Sequence, residues 1–315
     1  MIDVWTEKYR PDTLEEVIGH ENIVKRLQSF VEKGTVPNML FAGPAGTGKT
    51  TSAIALAKDL YGDSWKQNFK ETNASDDRGI SIVRNEIKDF ARTRAVNADF
   101  KIMFLDESDA LTSDAQQALR RTMEKYSDAC RFIMSCNYSS KIIEPIQSRT
   151  AVFRFNRLGE DGAKEYMKRV AEGEGLELKE SGIEALVRVS GGDLRKLTNL
   201  LQAASISDSV ITEELVYEIS ASMKPEEVKE ILDTAIKGKF LKARDKLSDL
   251  MVDRGLAGED VIKAIHREIF GLDISEQAKL NLVRKLGDFE FRISEGGSPD
   301  IQLESFLAQL SSLED

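Results

Sequence analysis

Eight residues constrain this chain more than any others. Gly43-Pro44-Ala45-Gly46-Thr47-Gly48-Lys49-Thr50 completes the pattern G-x-x-x-x-G-K-[ST] directly after an apolar run, Met39-Leu40-Phe41-Ala42. Glycines let a backbone curl so that successive N–H groups point inward, and a helix that follows adds the positive end of its dipole. Strand, glycine loop and helix in that order predict a phosphate cradle, with Thr51 to Leu60 as the helix. Within it, Lys49 reaches the β and γ phosphates and the Thr50 hydroxyl can ligate Mg²⁺. A chance glycine-rich turn explains neither the strand before the loop nor the helix after it, so the expected ligand is a nucleotide.

The residues beyond the loop extend the same architecture. Short apolar runs at Met39 to Ala42, Ile102 to Leu105, Phe132 to Met134 and Val152 to Phe155, with Phe69 to Asn73 a weaker fifth, alternate with amphipathic helical patterns. Unbroken apolar runs fit strands covered on both faces, as in a parallel sheet. After Asn156 the pattern reads as helices only, broken at Gly173 to Gly175, at Gly191-Gly192 and before Pro225. That proline, followed by Glu226-Glu227, marks a helix start. The expected organisation is an α/β nucleotide-binding domain over 1–156, a small helical domain over 157–222 and an all-helical domain over 223–315.

Composition sets the outer limits. A chain of 315 residues exceeds what one hydrophobic core usually serves. No apolar stretch approaches the roughly 18 residues that a membrane span needs, and the N-terminus lacks the pattern of a signal peptide. An intracellular protein is expected. Two cysteines, Cys130 and Cys136, flank an apolar strand and suit burial better than a disulfide framework. The two histidines, His20 and His266, lie near no cysteine pair, so no zinc ligand set exists in the sequence. The net charge of −10 argues against a protein that coats nucleic acid over its whole surface.

Several residues are placed to do chemistry. Asp106-Glu107 follows Lys101-Ile102-Met103-Phe104-Leu105, at the carboxyl end of a buried strand, where α/β sheets bind ligands. Asp106 is expected to hold Mg²⁺ and Glu107 to polarise the water that attacks the γ-phosphate. Asn137 ends the next strand-like run; it either senses the γ-phosphate or simply forms a turn. Arg149 is a candidate finger supplied to a neighbouring subunit, with a surface ion pair as the alternative. Arg195 opens a helix after Gly191-Gly192-Asp193 and reaches the nucleotide or is an ordinary surface cation. Arg84, Lys88 and Arg92 repeat at i, i+4, i+8 opposite Ile80, Val83, Ile87 and Phe90. A stripe of this kind is a solvated face or a phosphate-backbone contact.

Taken together, these positions resemble the AAA+ clamp-loader family, and most closely the archaeal replication factor C small subunits. The resemblance covers nearly the whole chain. Its most specific parts are Trp5-Thr6-Glu7-Lys8-Tyr9-Arg10-Pro11, Asn73-Ala74-Ser75-Asp76, Ser148-Arg149 and Gly191-Gly192-Asp193-Leu194-Arg195-Lys196. It implies an ATPase that uses ATP and Mg²⁺ to load a sliding clamp (PCNA) onto primer-template DNA. It implies as partners other small subunits and a replication factor C large subunit. It also implies that Val4, Tyr9, Arg10, Val17 and Ile18 lie near the adenine, that Asn137 is sensor 1, Arg149 the trans finger and Arg195 sensor 2. By the same resemblance the third domain is an oligomerisation collar, Arg84, Lys88 and Arg92 face DNA phosphates, and Asn73 restrains Glu107. The chain departs from the family pattern at His20, Ala45, Ser108 and Thr150, none of which removes a charged or metal-binding group. Two alternatives carry different expectations. A hexameric motor, helicase or unfoldase, calls for an aromatic pore loop, and Thr72 to Ile80 contains no aromatic; a non-catalytic scaffold calls for loss of Lys49, Asp106, Glu107 or Arg149, and all four are present.

Overall fold

The computed structural model describes residues 4–75, 81 and 83–311, without the side chains of 83 and 84. The chain divides into two compact units, Met1–Leu178 with Leu186–Ser209, and Lys179–Ala185 with Val210–Asp315. Most of 157–222 thus groups with the N-terminal unit, while the division into three functional domains remains a reading of the sequence.

Five strands make the sheet of the first unit: β1 (Met39–Ala42), β2 (Phe69–Asn73), β3 (Lys101–Asp106), β4 (Cys130–Cys136) and β5 (Ala151–Arg154). Their order is β2-β3-β4-β1-β5, and every pair is parallel. Because successive residues of a strand point to opposite faces, two cores form. Met39, Phe41, Phe104, Ile133 and Phe153 meet Ala53 and Leu56 of the helix Lys49–Tyr61 on one side. On the other, Leu40, Met103, Leu105, Phe132 and Met134 meet Ala115, Leu119 and Met123 of the helix Ser113–Lys125. This double coverage explains why the runs read as continuously apolar. Both cysteines are buried and free, as their place on β4 implies.

Parallel strands carry their carboxyl ends to one edge. The loop after β1, Asp106 at the end of β3 and Asn137 just past β4 therefore meet there. Behind them, buried Gln116 donates to the carbonyls of Leu111 (3.1 Å) and Lys141 (3.0 Å) and accepts from the amide of Ile143 (2.9 Å), fixing the loops around that helix.

The second unit is built from the helices Pro225–Ile236, Phe240–Arg254, Gly258–Ile269, Glu276–Ser294 and Pro299–Leu310 around Leu232, Ile269, Leu282, Leu286, Phe306 and Leu307. Pro225 stands in the first turn, as the sequence predicts. Glu227 accepts from the amide of Lys224 (2.8 Å) and from both terminal nitrogens of Arg254 (2.6 and 2.9 Å), joining one helix start to the end of the next. The reading of helices alone after Asn156 needs one correction. Glu177–Leu178 and Val210–Ile211 are strands, and two residues are too few for a period-2 pattern to register.

Candidate functional site

The loop between β1 and the helix Lys49–Tyr61 has the backbone that its glycines allow. Gly46 and Gly48 sit at φ 70° and 88°, in the left-handed region that side chains disfavour. Gly46 is also closely approached: a Cβ there would lie 1.8 Å from Oδ1 of Asp193. That carboxylate accepts from the amide of Lys196 (3.0 Å) and so caps the helix Leu194–Ser207, while the amide of Leu194 donates to the carbonyl of Gly46 (2.9 Å). The cap that starts this helix is therefore seated on the phosphate loop. Gly43 is packed against the end of β5, where a Cβ would fall 2.0 Å from the carbonyl oxygen of Phe155.

Polar groups converge on the loop. The Lys49 ammonium donates to the carbonyls of Gly43 (2.6 Å) and Pro44 (2.7 Å) and, at 3.4 Å, to Oδ1 of Asn137. Burial pulls its pKa below the ordinary lysine range, against the pull of Asp106. Thr50 Oγ1 donates to Oδ2 of Asp106 (2.9 Å), and Oδ1 of Asp106 accepts from the amide of Glu107 (3.0 Å). Glu107 is exposed and held at φ 51°, an uncommon backbone for a non-glycine residue and a frequent one at functional turns. Paired hydroxyl and carboxylate oxygens are the hard donor set that suits Mg²⁺.

Lys49, Thr50, Asp106, Glu107 and Asn137 line one cavity of about 330 Å³, together with Ala45, Gly46, Thr47, Gly48, Tyr9, Arg10, Val17, Ile18 and Arg195. Among the sequence-predicted residues, Gly43 and Pro44 stay outside that lining, as does Val4, exposed at the start of the helix Trp5–Lys8. Arg149 also lies elsewhere: its Nε pairs with Glu124 (2.9 Å) and its Nη1 donates to the carbonyl of Pro145 (2.9 Å). Asn73, in register with Asp106 across the sheet, turns its Oδ1 to the amide of Ser75 (2.9 Å). Asp76 and the side chain of Arg84 fall outside the described residues. Lys88 and Arg92 are exposed, and Arg92 lies 3.6 Å from Asp89. Val83–Ile87 winds as a wider π-helical turn before the α-helix Lys88–Arg92, so i+4 spacing does not carry across it.

Other contributors to the cavity are not marked by any motif. Tyr166 and Arg169, from the helix Glu160–Glu174, line it with Thr198, and the hydroxyls of Tyr166 and Thr198 are 2.7 Å apart. Glu71 faces it from β2, pushed above the usual carboxylate range by partial burial and then by Asp106. The period-2 rule could have found Glu71, two residues before Asn73 and on its face. The Tyr9 hydroxyl, which burial raises to about 12, donates to Glu174 (2.7 Å), and the amide of Trp5 donates to Gln202 (3.1 Å). His20 Nε2 lies 3.1 Å from the carbonyl of Thr47, with its ring edge-on to Phe155.

Comparison with known proteins fits this geometry. The family model for the ATPase family associated with various cellular activities matches residues 39–158, and that for the replication factor C C-terminal domain matches residues 223–309. The replication factor C small subunit of Methanococcus maripaludis is 54% identical over 98% of this chain and 99% of its own length. That of Archaeoglobus fulgidus is 52% identical over 99% and 98%. Among solved structures, the RuvB Holliday junction branch migration motor of Thermotoga maritima superposes with a TM-score of 0.56 at 22% identity over 73% of this chain and 80% of that one, a likeness of fold. With half its sequence shared along almost its entire length, the chain belongs to the replication factor C small-subunit family, the AAA+ ATPase subunits of the clamp loader.

Proposed function

We propose that this chain binds ATP in the cavity beside the phosphate loop and hydrolyses it within an assembled clamp loader, where primer-template DNA and the sliding clamp stimulate turnover. The observation that carries this reading is the convergence of Lys49, Thr50, Asp106, Glu107, Asn137 and Arg195 on one cavity. Thr50 and Asp106 hold Mg²⁺, which offsets phosphate charge when bound. Glu107 orients the attacking water and accepts its proton. Asn137, within reach of Lys49, reports the γ-phosphate. Tyr9, Arg10, Val17 and Ile18 border the base, with Val4 at the edge of that segment. Arg195 approaches through the helix whose cap rests on Gly46.

Arg149 serves the nucleotide of an adjoining protomer. Its exposure and its place outside the lining of its own cavity support that direction. Such a finger contributes about 10³ to 10⁵ in rate by stabilising transition-state charge. Arg84, Lys88 and Arg92 supply DNA affinity through phosphates without reading sequence. The natural partners are further small subunits and a large subunit inside the cell. Binding of ATP stabilises the clamp- and DNA-binding assembly, and hydrolysis releases it.

The test is ATP turnover by the chain reconstituted with its large subunit, with and without primed DNA and clamp. Both ligands together raise kcat if the reading holds, and identical turnover in all four combinations refutes it.

A further inference from the structure

We propose that Glu124 is the positioning residue for Arg149, holding its guanidinium ready to engage a phosphate outside this chain. The inference rests on the trans-acting role proposed for Arg149 and concerns how that role is prepared.

The geometry is a partial grip. Glu124 is the penultimate residue of the helix Ser113–Lys125. Its Oε1 accepts from Arg120 Nη1 at 3.2 Å and forms an ion pair with Arg149, 2.9 Å from Nε. On the other flank, Arg149 Nη1 donates to the carbonyl of Pro145 (2.9 Å) and, more weakly, to the hydroxyl of Ser148 (3.4 Å). A guanidinium offers five N–H groups in a fixed planar fork. The ion pair at Nε and the hydrogen bonds of Nη1 restrain that plane, and among the described residues Nη2 makes no hydrogen bond, so its two N–H groups face an incoming oxygen.

Charge supports the same conclusion. One carboxylate shared between two guanidinium groups leaves Arg120, Glu124 and Arg149 with a net charge of about +1, so the corner still attracts phosphate. The Arg149 and Glu124 side chains are each 42% exposed, and an ion pair in that setting adds little to stability. Its physical effect is orientation: an arginine restrained beforehand loses less rotamer freedom when it meets its target. A carboxylate that withheld the cation would instead take two N–H groups of one guanidinium edge in bidentate fashion. Among the described residues no such double hydrogen bond joins Glu124 to Arg149; the two meet as an ion pair at Nε.

The experiment compares Glu124→Gln, Glu124→Asp, Arg149→Ala and the Glu124→Gln/Arg149→Ala double variant, each assembled with the large subunit and assayed with primed DNA and clamp. Glu124→Gln is expected to lower kcat about tenfold, in keeping with the cost of a misplaced catalytic group. KM for ATP, nucleotide affinity and melting temperature stay unchanged, and Glu124→Asp recovers part of the loss. In the Arg149→Ala background the glutamine substitution has no further effect. If Arg149→Ala itself turns over like wild type, the trans role falls and this proposal with it. If Arg149→Ala is crippled while Glu124→Gln keeps or raises kcat, or lowers it equally in both backgrounds, the trans role survives and the positioning role is overturned.

Discussion

The phosphate loop and the Arg149 corner are built on opposite principles. Lys49 is buried, and its ammonium is engaged by two carbonyls of its own loop and by Asn137. Arg149 is exposed, ion-paired at Nε and hydrogen-bonded through Nη1 among the described residues. Under the function proposed above, the cation closed in by its own chain serves a ligand that enters the cavity, and the one held at the surface serves something beyond the chain. On the proposed mechanism, binding is therefore encoded within one protomer and turnover between two.

Removing each cation in turn puts that contrast under the heaviest load. Lys49→Ala should weaken nucleotide binding by the isolated chain at least about 10²-fold, since a buried charge-assisted contact is lost. Arg149→Ala should leave that affinity within about twofold. Titration with a fluorescent ATP analogue measures both, and an equal loss in the two variants would erase the distinction.

A second variant asks how far the cradle depends on its backbone. Gly46→Ala places a methyl at φ 70° and against the Asp193 carboxylate. It should cost about 1–3 kcal/mol of stability and weaken nucleotide binding, because the cap of the helix Leu194–Ser207 must shift. Gly34→Ala, at φ 61° with no atom within 4 Å of its added carbon, supplies the reference for backbone strain alone. Equal melting temperatures for the two would show that the close approach to Asp193 is immaterial.

The smallest effect lies beneath the loop. Cys136, whose carbonyl accepts from the amide of Gly43 (3.1 Å), has its thiol pushed up to about 11 by burial. A folded-state pKa above the unfolded one favours the neutral thiol in the native protein. That stability is complete below about pH 9 and is lost as pH rises towards 11. The difference in unfolding free energy between wild type and Cys136→Ala should therefore shrink across that window, by at most about 1.4 kcal/mol per pH unit. A difference independent of pH would mean that the thiol is not perturbed.

Much of the fold is legible in the sequence because its signals are local. The glycine spacing of the loop, the apolar runs of β1, β3, β4 and β5 and the proline at 225 all act through neighbours in sequence. Even β2, the weakest run, forms over Phe69 to Asn73 as its pattern predicts. The cavity is legible only where a motif marks it. Tyr166, Arg169 and Thr198 reach it from helices more than a hundred residues downstream of the loop, and Tyr and Thr in a helix look the same whether they face a core or a ligand. Glu124 is unreadable for a related reason. Its partner Arg149 is brought near by β4 and the short helical segments Ser139–Lys141 and Glu144–Gln147 that follow it, not by helical spacing. The two-residue strands escape a sequence reading because pairing, rather than composition, defines them.

At the heart of the proposed mechanism, one chain binds the triphosphate and its neighbour completes the site for hydrolysis. Single-turnover hydrolysis by the assembled complex carrying Arg149→Ala, with primed DNA and clamp at saturating ATP, bears on this without intermediate steps. Full occupancy by ATP is expected, with a hydrolysis rate reduced by about 10³-fold or more. Full occupancy with an undiminished rate would contradict it.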